Sequence, residues 1–298
     1  MKLKMVGLGK MGFNLALNMK DHEVDVEGFD VNEEARKKAE ESGIKSYETL
    51  KDLVSADQKD VIWVMLPAGK ITNSVLDELS GLCKKGDIVI DGGNSDHRDS
   101  LKTAKKMEEK GIYFFDIGTS GGVYGARHGA SFMCGGDPEV FKNDLQEMLE
   151  SIATTNGCLY TGKTGSGHYL KMIHNAMLYG YMQTLGEGFE LLEKSEFDYD
   201  LEHVADSLSK SSVIRGWLLE LAANAFRKDP DLEKIKGVVG ASKTTGWTIE
   251  SACELGVPIP IISTSLMMRL RPKQDDSFSA KVIASLRDEV GGHKAQSK

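Results

Sequence analysis

The stretch "YLKMIHNAMLYG" (169–180) sets Lys171, His174, Asn175 and Tyr179 among Leu170, Met172, Ile173, Met177 and Leu178, a spacing that predicts a helix. Lys171 and Asn175 are one turn apart and share a face, with His174 beside them, three residues from Lys171. A polar face on an otherwise apolar helix must meet something polar. A lysine on a helix is ordinarily solvated, its stem along the surface. Apolar neighbours push an amine toward its neutral form, which is the form that accepts a proton.

A second chemical signal opens the chain. Gly7, Gly9 and Gly12 form G-x-G-x-x-G between a short apolar run (3–8) and "FNLALNMKD", which has helical spacing. In such a strand, turn and helix the first glycine permits a tight turn and the second lets the backbone approach a pyrophosphate. The third permits close helix packing, and the helix N-terminus faces the phosphates. Asp30 follows Gly12 by 18 residues, at the end of the predicted strand "VDVEGFD", where an acid bonds ribose hydroxyls. The following "VNEEA" brings no adjacent arginine to a 2′-phosphate, and the carboxylate itself repels one, so NAD is expected in preference to NADP.

The elements that position these groups alternate. Helices over 32–42, 70–83 and 98–110 separate the strands "VIWVML" (61–66), "DIVIDGG" (87–93) and "YFFDIG" (113–118), which implies a mostly parallel sheet covered on both faces. "SFMCGG" and "CLYTG" add two strands flanking a helix that starts near Pro138. After Gly167 strand signals vanish and helical patterns cover 168–194, 200–226, 245–256, 259–270 and 277–290. The expectation is an α/β, Rossmann-like, doubly wound sheet over 1–162, followed by an all-helical domain over 163–298 for substrate binding and oligomerisation.

Composition narrows the partners. The 298 residues are 40% hydrophobic, enough for two domains with their own cores. The net charge of −8, from 45 acidic and 37 basic residues, argues against broad attraction to nucleic acid or an anionic membrane and for a small-molecule partner. Cys83, Cys134, Cys158 and Cys253 lie far apart with no CxxC pair, so they are expected reduced and mostly buried, with no metal site. No stretch approaches ~18 consecutive apolar residues and the N-terminus has no signal-peptide pattern, so the cytoplasm is the default.

In order along almost the whole chain, "GLGKMG", "MLPAG" (65–69), "DGGNS" (91–95), "GTSGGVYGARHG" (118–129), "GSGHYLKMIHN" (165–175) and "LRDEVGGHK" (286–294) resemble the 6-phosphogluconate dehydrogenases, in their short-chain form, within the 3-hydroxyacid dehydrogenase superfamily. The resemblance implies that Lys171 and Asn175 are catalytic. Lys171 removes the proton of the substrate's 3-hydroxyl as hydride leaves, and the protonated lysine then polarises the carbonyl as CO2 is lost. A second positive charge nearby, with burial, would keep that amine neutral. His174 and Asn175 match residues that hold the substrate's hydroxyls and carboxylate, Ser120, Gly121 and Gly122 match the carboxylate-side loop, and Asn94 stands between cofactor and substrate. The cofactor set is Gly7, Leu8, Gly9, Lys10, Met11, Gly12, Asp30, Leu66, Pro67, Ala68 and Asn94.

For the phosphate of a phosphorylated sugar acid, the resemblance implies Tyr179, Arg269 and, from a partner subunit's tail, Arg287 and His293. Arginine suits the task because its planar fork bonds two oxygens at once. A borrowed tail implies an oligomer, a homodimer or homotetramer. Lys243 and Thr244 in "ASKTTGWTI" (241–249) fall near phosphate-contacting positions of the family's long form.

One departure stands out. The family pattern runs histidine, asparagine, glycine, isoleucine, glutamate, tyrosine, whereas this chain has His174, Asn175, Ala176, Met177, Leu178, Tyr179. Leu178 cannot act as the general acid that protonates the enediol. Either water or another group such as Tyr124 or His128 supplies the proton, or the substrate differs. The expected activity is NAD-dependent oxidative decarboxylation of 6-phospho-D-gluconate to D-ribulose 5-phosphate. The alternatives are non-decarboxylating oxidation of another anionic 3-hydroxy acid, and a non-catalytic NAD-binding sensor.

Overall fold

A computed structural model of the chain describes residues 2–274 and 277–291, the last five of them by backbone alone. The chain divides into two compact units, Met1–His174 and Asn175–Lys298. The division falls inside a long helix and later than the expected boundary near 162, because the first turns of that helix pack on the sheet of the first unit.

The first unit is an eight-stranded sheet. Its strands are β1 (Lys2–Val6), β2 (Asp25–Phe29), β3 (Lys45–Tyr47), β4 (Val61–Val64), β5 (Ile88–Asp91), β6 (Tyr113–Ser120), β7 (Ala130–Gly135) and β8 (Ala153–Gly162), in the order β3-β2-β1-β4-β5-β6-β7-β8. All neighbours are parallel except β6 and β7. The chain leaves β1 toward β2 and later returns to β4 on its other side, so the crevice between β1 and β4 is the switch point where ligands bind in doubly wound sheets.

The helices are α1 (Lys10–Asp21), α2 (Glu33–Glu41), the short α3 (Leu50–Leu53), α4 (Lys70–Leu82), α5 (His97–Glu108), α6 (Gly122–His128), and α7 (Pro138–Val140), which runs through a π turn (Phe141–Leu145) into α8 (Gln146–Ile152). Their starts follow capping chemistry: Asn32, Asp96 and Asp137 each accept backbone N–H bonds at the head of α2, α5 and α7. β3 and α3 went unpredicted, both being too short to show a period. α6 is likewise absent from the sequence-based expectations, because "GVYGARH" is short and carries two glycines that hide its period.

Period-two alternation sorts the strands onto two cores. Leu3, Met5, Trp63, Ile88 and Ile90 join one apolar cluster with Phe13, Leu15 and Met19 of α1, while Val6, Ile62, Val64 and Val89 join the other with Leu76 and Leu79 of α4. Lys4 interrupts the second face. Its Nζ lies 2.8 Å from Asp60 Oδ1 and bonds Ser55 Oγ at 2.6 Å, with both charged side chains buried. Removing one member of such a pair costs about 3–5 kcal/mol, because the other charge is left uncompensated.

The second unit is helical. α9 (Ser166–Glu193) begins in the first unit and continues into this one, followed by α10 (Leu201–Ser211), α11 (Trp217–Lys228), α12 (Lys243–Leu255), α13 (Pro260–Leu270) and α14 (Phe278–Gly291). The single helix expected over 200–226 is therefore two. The break, "SVIRG", holds β-branched Val213 and Ile214 and then Gly216, all poor helix formers, and Tyr181 Oη donates to Ile214 O there. Ala205, Ala223 and Phe226 form the small core between α10 and α11.

Cys134 is buried, Cys83 and Cys158 are half-buried, and Cys253 is exposed rather than buried as expected; all four are free. Among the described residues no helix is long and apolar enough to cross a membrane, and no histidine, cysteine or carboxylate cluster could hold a metal ion.

Candidate active site

The dinucleotide loop connects β1 to α1 at the switch point. Gly7 has φ +98°, and a Cβ there would meet Met65 O at 2.5 Å; a Cβ on Gly12 would meet Gly7 O at 1.9 Å. Only glycine allows this turn against the β4 loop and this approach of α1. Gly9, by contrast, faces open space, with nothing within 4 Å of a built Cβ. That is the place where backbone can approach a phosphate, at the head of a 12-residue helix.

Asp30 ends the turn after β2. Its Oδ2 accepts the Leu8 N–H at 2.7 Å and its Oδ1 the Asn32 N–H at 2.8 Å. The carboxylate is therefore pinned to the glycine loop. Arg36 lies close by, but its Nη1 donates to the Asp30 and Val31 carbonyls and its Nη2 to Glu48. Leu66, Pro67 and Ala68 follow β4, and Thr72 Oγ1 donates to Pro67 O to hold that loop. With Lys10 and Met11 opening α1, the expected cofactor set is gathered at the C-terminal ends of β1, β2 and β4, with Asn94 exposed on the loop after β5.

Lys171 is 5% exposed. Its Cβ and Cγ lie 2.4 and 2.8 Å from where a Cβ on Gly118 of β6 would be, and a Cβ on Gly167 would meet Asp116 O at 2.1 Å and Met133 O at 2.4 Å. Glycines on both sides thus let the first turns of α9 lie directly on β6 and β7. The amine is desolvated by that contact, and burial alone lowers its pKa to about 8. The expected second positive charge is not among the causes. The neutral amine is accessible near neutral pH, as a general base requires.

Around it, His174 Nδ1 lies 3.5 Å from Lys171 Nζ, and His174 Nε2 lies 3.3 Å from Ser120 Oγ. Ser120 ends β6, and Gly121 and Gly122 lead into α6. Tyr124 and His128 are both exposed on α6, with ring centroids 4.7 Å apart.

The start of α9 is fixed from below. Asp116 accepts the Gly165 N–H at 2.6 Å and the His168 N–H at 2.8 Å, and its own pKa is raised by burial. His168 Nδ1 pairs with Ser100 Oγ of α5 at 2.7 Å, and the Tyr169 ring stands edge-on to His97 at 4.9 Å. These contacts tie the loop carrying Asn94 to the helix carrying Lys171.

In the second unit, Arg269 of α13 stacks on Tyr179, its guanidinium carbon 3.5 Å from the ring centroid, and its Nη1 donates to Gly240 O. Tyr179 Oη accepts the Ser242 N–H at 2.7 Å, so its own O–H remains available to donate. Ser242 Oγ pairs with Thr244 Oγ1 at 2.6 Å at the head of α12, and Lys243 is exposed beside them. Asn175 and Leu178 are half-buried on α9. Arg287 and His293 lie outside the residues whose side chains are described.

Residues 2–162 match the NAD binding domain of 6-phosphogluconate dehydrogenase, and residues 167–295 match the C-terminal domain of 6-phosphogluconate dehydrogenase. The chain belongs to the 6-phosphogluconate dehydrogenase family. Within it, the Bacillus subtilis (strain 168) protein YqeC, provisionally named for this activity, is 45% identical over 299 residues, the whole of both chains. The NAD(+)-dependent, decarboxylating 6-phosphogluconate dehydrogenase of Haloferax volcanii is 39% identical over 302 residues, covering 100% of this chain and 99% of that one. The structure of Plasmodium falciparum 6-phosphogluconate dehydrogenase superposes with a TM-score of 0.82 at 28% identity, over 98% of this chain and 65% of that one. The chain is an oxidoreductase of this family, with an NAD-binding domain.

Sequence reasoning missed the support of this family site. Gly118, Asp116, Gly167, His168, Ser100 and Ser242 were not singled out. A signal existed for two of them: an aspartate in the apolar run "YFFDIG" and a glycine on either side of Ser166 both mark special packing. Ser100 and Ser242 carry no such mark, since a serine's partner is set by tertiary approach.

Proposed function

We propose that the protein catalyses NAD-dependent oxidative decarboxylation of 6-phospho-D-gluconate to D-ribulose 5-phosphate and CO2. The observation that carries this reading is the buried Lys171, with its pKa lowered to about 8 and His174 and Ser120 beside it. NAD, when bound, takes up the hydride, and the open face at Gly9 has room for its pyrophosphate. Neutral Lys171 takes the 3-hydroxyl proton, then returns it to the carbonyl oxygen as the C–C bond to the carboxylate breaks. Ser120, Gly121 and Gly122 hold the carboxylate, Asn94, His174 and Asn175 the hydroxyls. Tyr179 and Arg269, with the hydroxyls of Ser242 and Thr244, receive the phosphate; Arg287 and His293 of a second subunit complete it.

Preference for NAD is supported by Asp30, whose negative charge beside the glycine loop would repel a 2′-phosphate, and by Arg36, whose guanidinium already donates to the Asp30 and Val31 carbonyls and to Glu48. A homodimer or homotetramer is supported by the large apolar side chains the helical unit exposes, Val213, Trp217, Ile261 and Phe278 among them. Following NADH or NADPH formation with 6-phosphogluconate while trapping CO2 tests the reading. Matched NADH and CO2 support it; no turnover with this substrate sinks it. Leu178 favours the second reading, oxidation of another anionic 3-hydroxy acid without CO2 release, and the same assay separates the two. A sensor without catalysis predicts instead that Lys171→Ala leaves all measurable properties unchanged.

A further inference from the structure

Loss of CO2 from a 3-keto acid leaves an enediol, and two protons must then move. One goes onto the carbon that lost the carboxylate, and one leaves the enol oxygen as the ketone forms. Lys171 can take the second. The position from which the family delivers the first is Leu178, which has no proton to give. We infer that His174 is the proton donor to that carbon, and that Ser120 fixes its tautomer for the task. This inference rests on the decarboxylating reading.

The geometry assigns the two ring nitrogens different roles. Nε2 lies 3.3 Å from Ser120 Oγ, where it donates its hydrogen and stays protonated throughout. Nδ1 faces Lys171 Nζ at 3.5 Å and is the nitrogen that exchanges. Such contacts are commonly long without substrate and tighten when it binds. Both residues lie on one helix at a spacing of three, so their approach is set by backbone geometry and by the packing of α9 on Gly118.

The proton balance closes within the pair. The pair shares one proton across the Nζ–Nδ1 contact; while that proton sits on Nδ1 and Lys171 is neutral, His174 gives it to carbon and Lys171 takes the proton of the enol oxygen. The ammonium then passes that proton across to Nδ1, which restores imidazolium and neutral amine for the next turnover. No net proton is drawn from solvent and none is left over, matching the overall conversion of hydroxy acid and NAD to ketose, CO2 and NADH, although the hydroxyl, amine and imidazole protons that move all exchange with water beforehand. Tyr124 and His128 are weaker candidates, since both are exposed and neither has a contact to Lys171 among those described.

The test is turnover in deuterated water, with the stereochemistry of deuterium at C1 of the ribulose 5-phosphate read by NMR alongside NADH and CO2. Wild-type protein is expected to place one deuterium on one face only. His174→Gln is expected to lower kcat roughly 100-fold or more and to label both faces equally, because the enediol escapes and is protonated in water. His174→Gln combined with Leu178→Glu restores one-face labelling. Ser120→Ala, which keeps the ring but frees its tautomer, gives partly scrambled label and covers the case in which His174→Gln does not fold. One-face labelling by His174→Gln at near wild-type kcat overturns the assignment. Absence of CO2 from the wild-type protein is a separate result and overturns the decarboxylating reading itself.

Discussion

The surroundings of Lys171 and those of Arg269 are built in opposite ways. Lys171 is sealed: glycines at 118 and 167 bring helix and sheet into backbone contact, Asp116 anchors the helix start, and Ser100 grips His168 from a neighbouring helix. Arg269 is half-exposed, stacked on one ring, and surrounded by a unit that leaves many large apolar side chains in contact with solvent. A proton-transfer group needs a dry, fixed setting so that its pKa is moved and held. A phosphate ligand keeps its charge at any working pH and needs only reach and geometry. The first setting is completed by its own unit, whereas the second is open to completion by other groups.

The strongest break of this contrast is Lys171→Met, which keeps the stem and removes the amine. NADH formation is expected to fall by about 10²–10⁴-fold, while NAD binding by calorimetry is unchanged, because the glycine loop is not touched. Arg269→Ala is expected to act differently. Loss of one charge-assisted contact to phosphate, about 1.5–3 kcal/mol, raises KM roughly 10- to 100-fold with kcat little altered; an equal fall in kcat would show that Arg269 serves the chemical step.

Gly118→Ala sharpens the comparison by pushing the helix off the sheet. The new Cβ meets Lys171 at 2.4 Å, so stability should drop by about 1–3 kcal/mol in a denaturant titration. The same change in the exposed Gly122, whose built Cβ meets nothing, tests strain at φ +62° without that clash. A change of pH probes the buried amine with no substitution at all. Since burial lowers the Lys171 pKa to about 8, the ammonium form dominates below it and cannot accept a proton. From pH 6 toward 8, kcat/KM should rise by up to about tenfold per unit, as deprotonation of the amine dictates. A flat profile would show that the amine is not the base.

Much of this was legible in the residues. The G-x-G-x-x-G loop, Asp30 and the alternation of apolar strands with helices are local patterns, and each element they predicted in the first unit is present within a few residues. The helix of Lys171 was legible too, as was the departure at Leu178. The split at Val213 and Ile214 was masked by amphipathic residues on both sides, which share a period across the break. α6 was masked by its glycines. At the active site, the residue types were legible and their settings were not: nothing in "YLKMIHN" states that the lysine is 5% exposed.

Local sequence by itself determined which segments are strands and helices, where the dinucleotide loop lies, and which polar groups share a helical face, because these depend on neighbours within a few residues. Only the tertiary structure decided that Lys171 is desolvated, that His174 sits between it and Ser120, and that Asp30 is pinned to the Leu8 amide. Those facts depend on segments tens of residues apart meeting at distances of about 3 Å, where one Cβ on Gly118 or Gly167 would keep them separate.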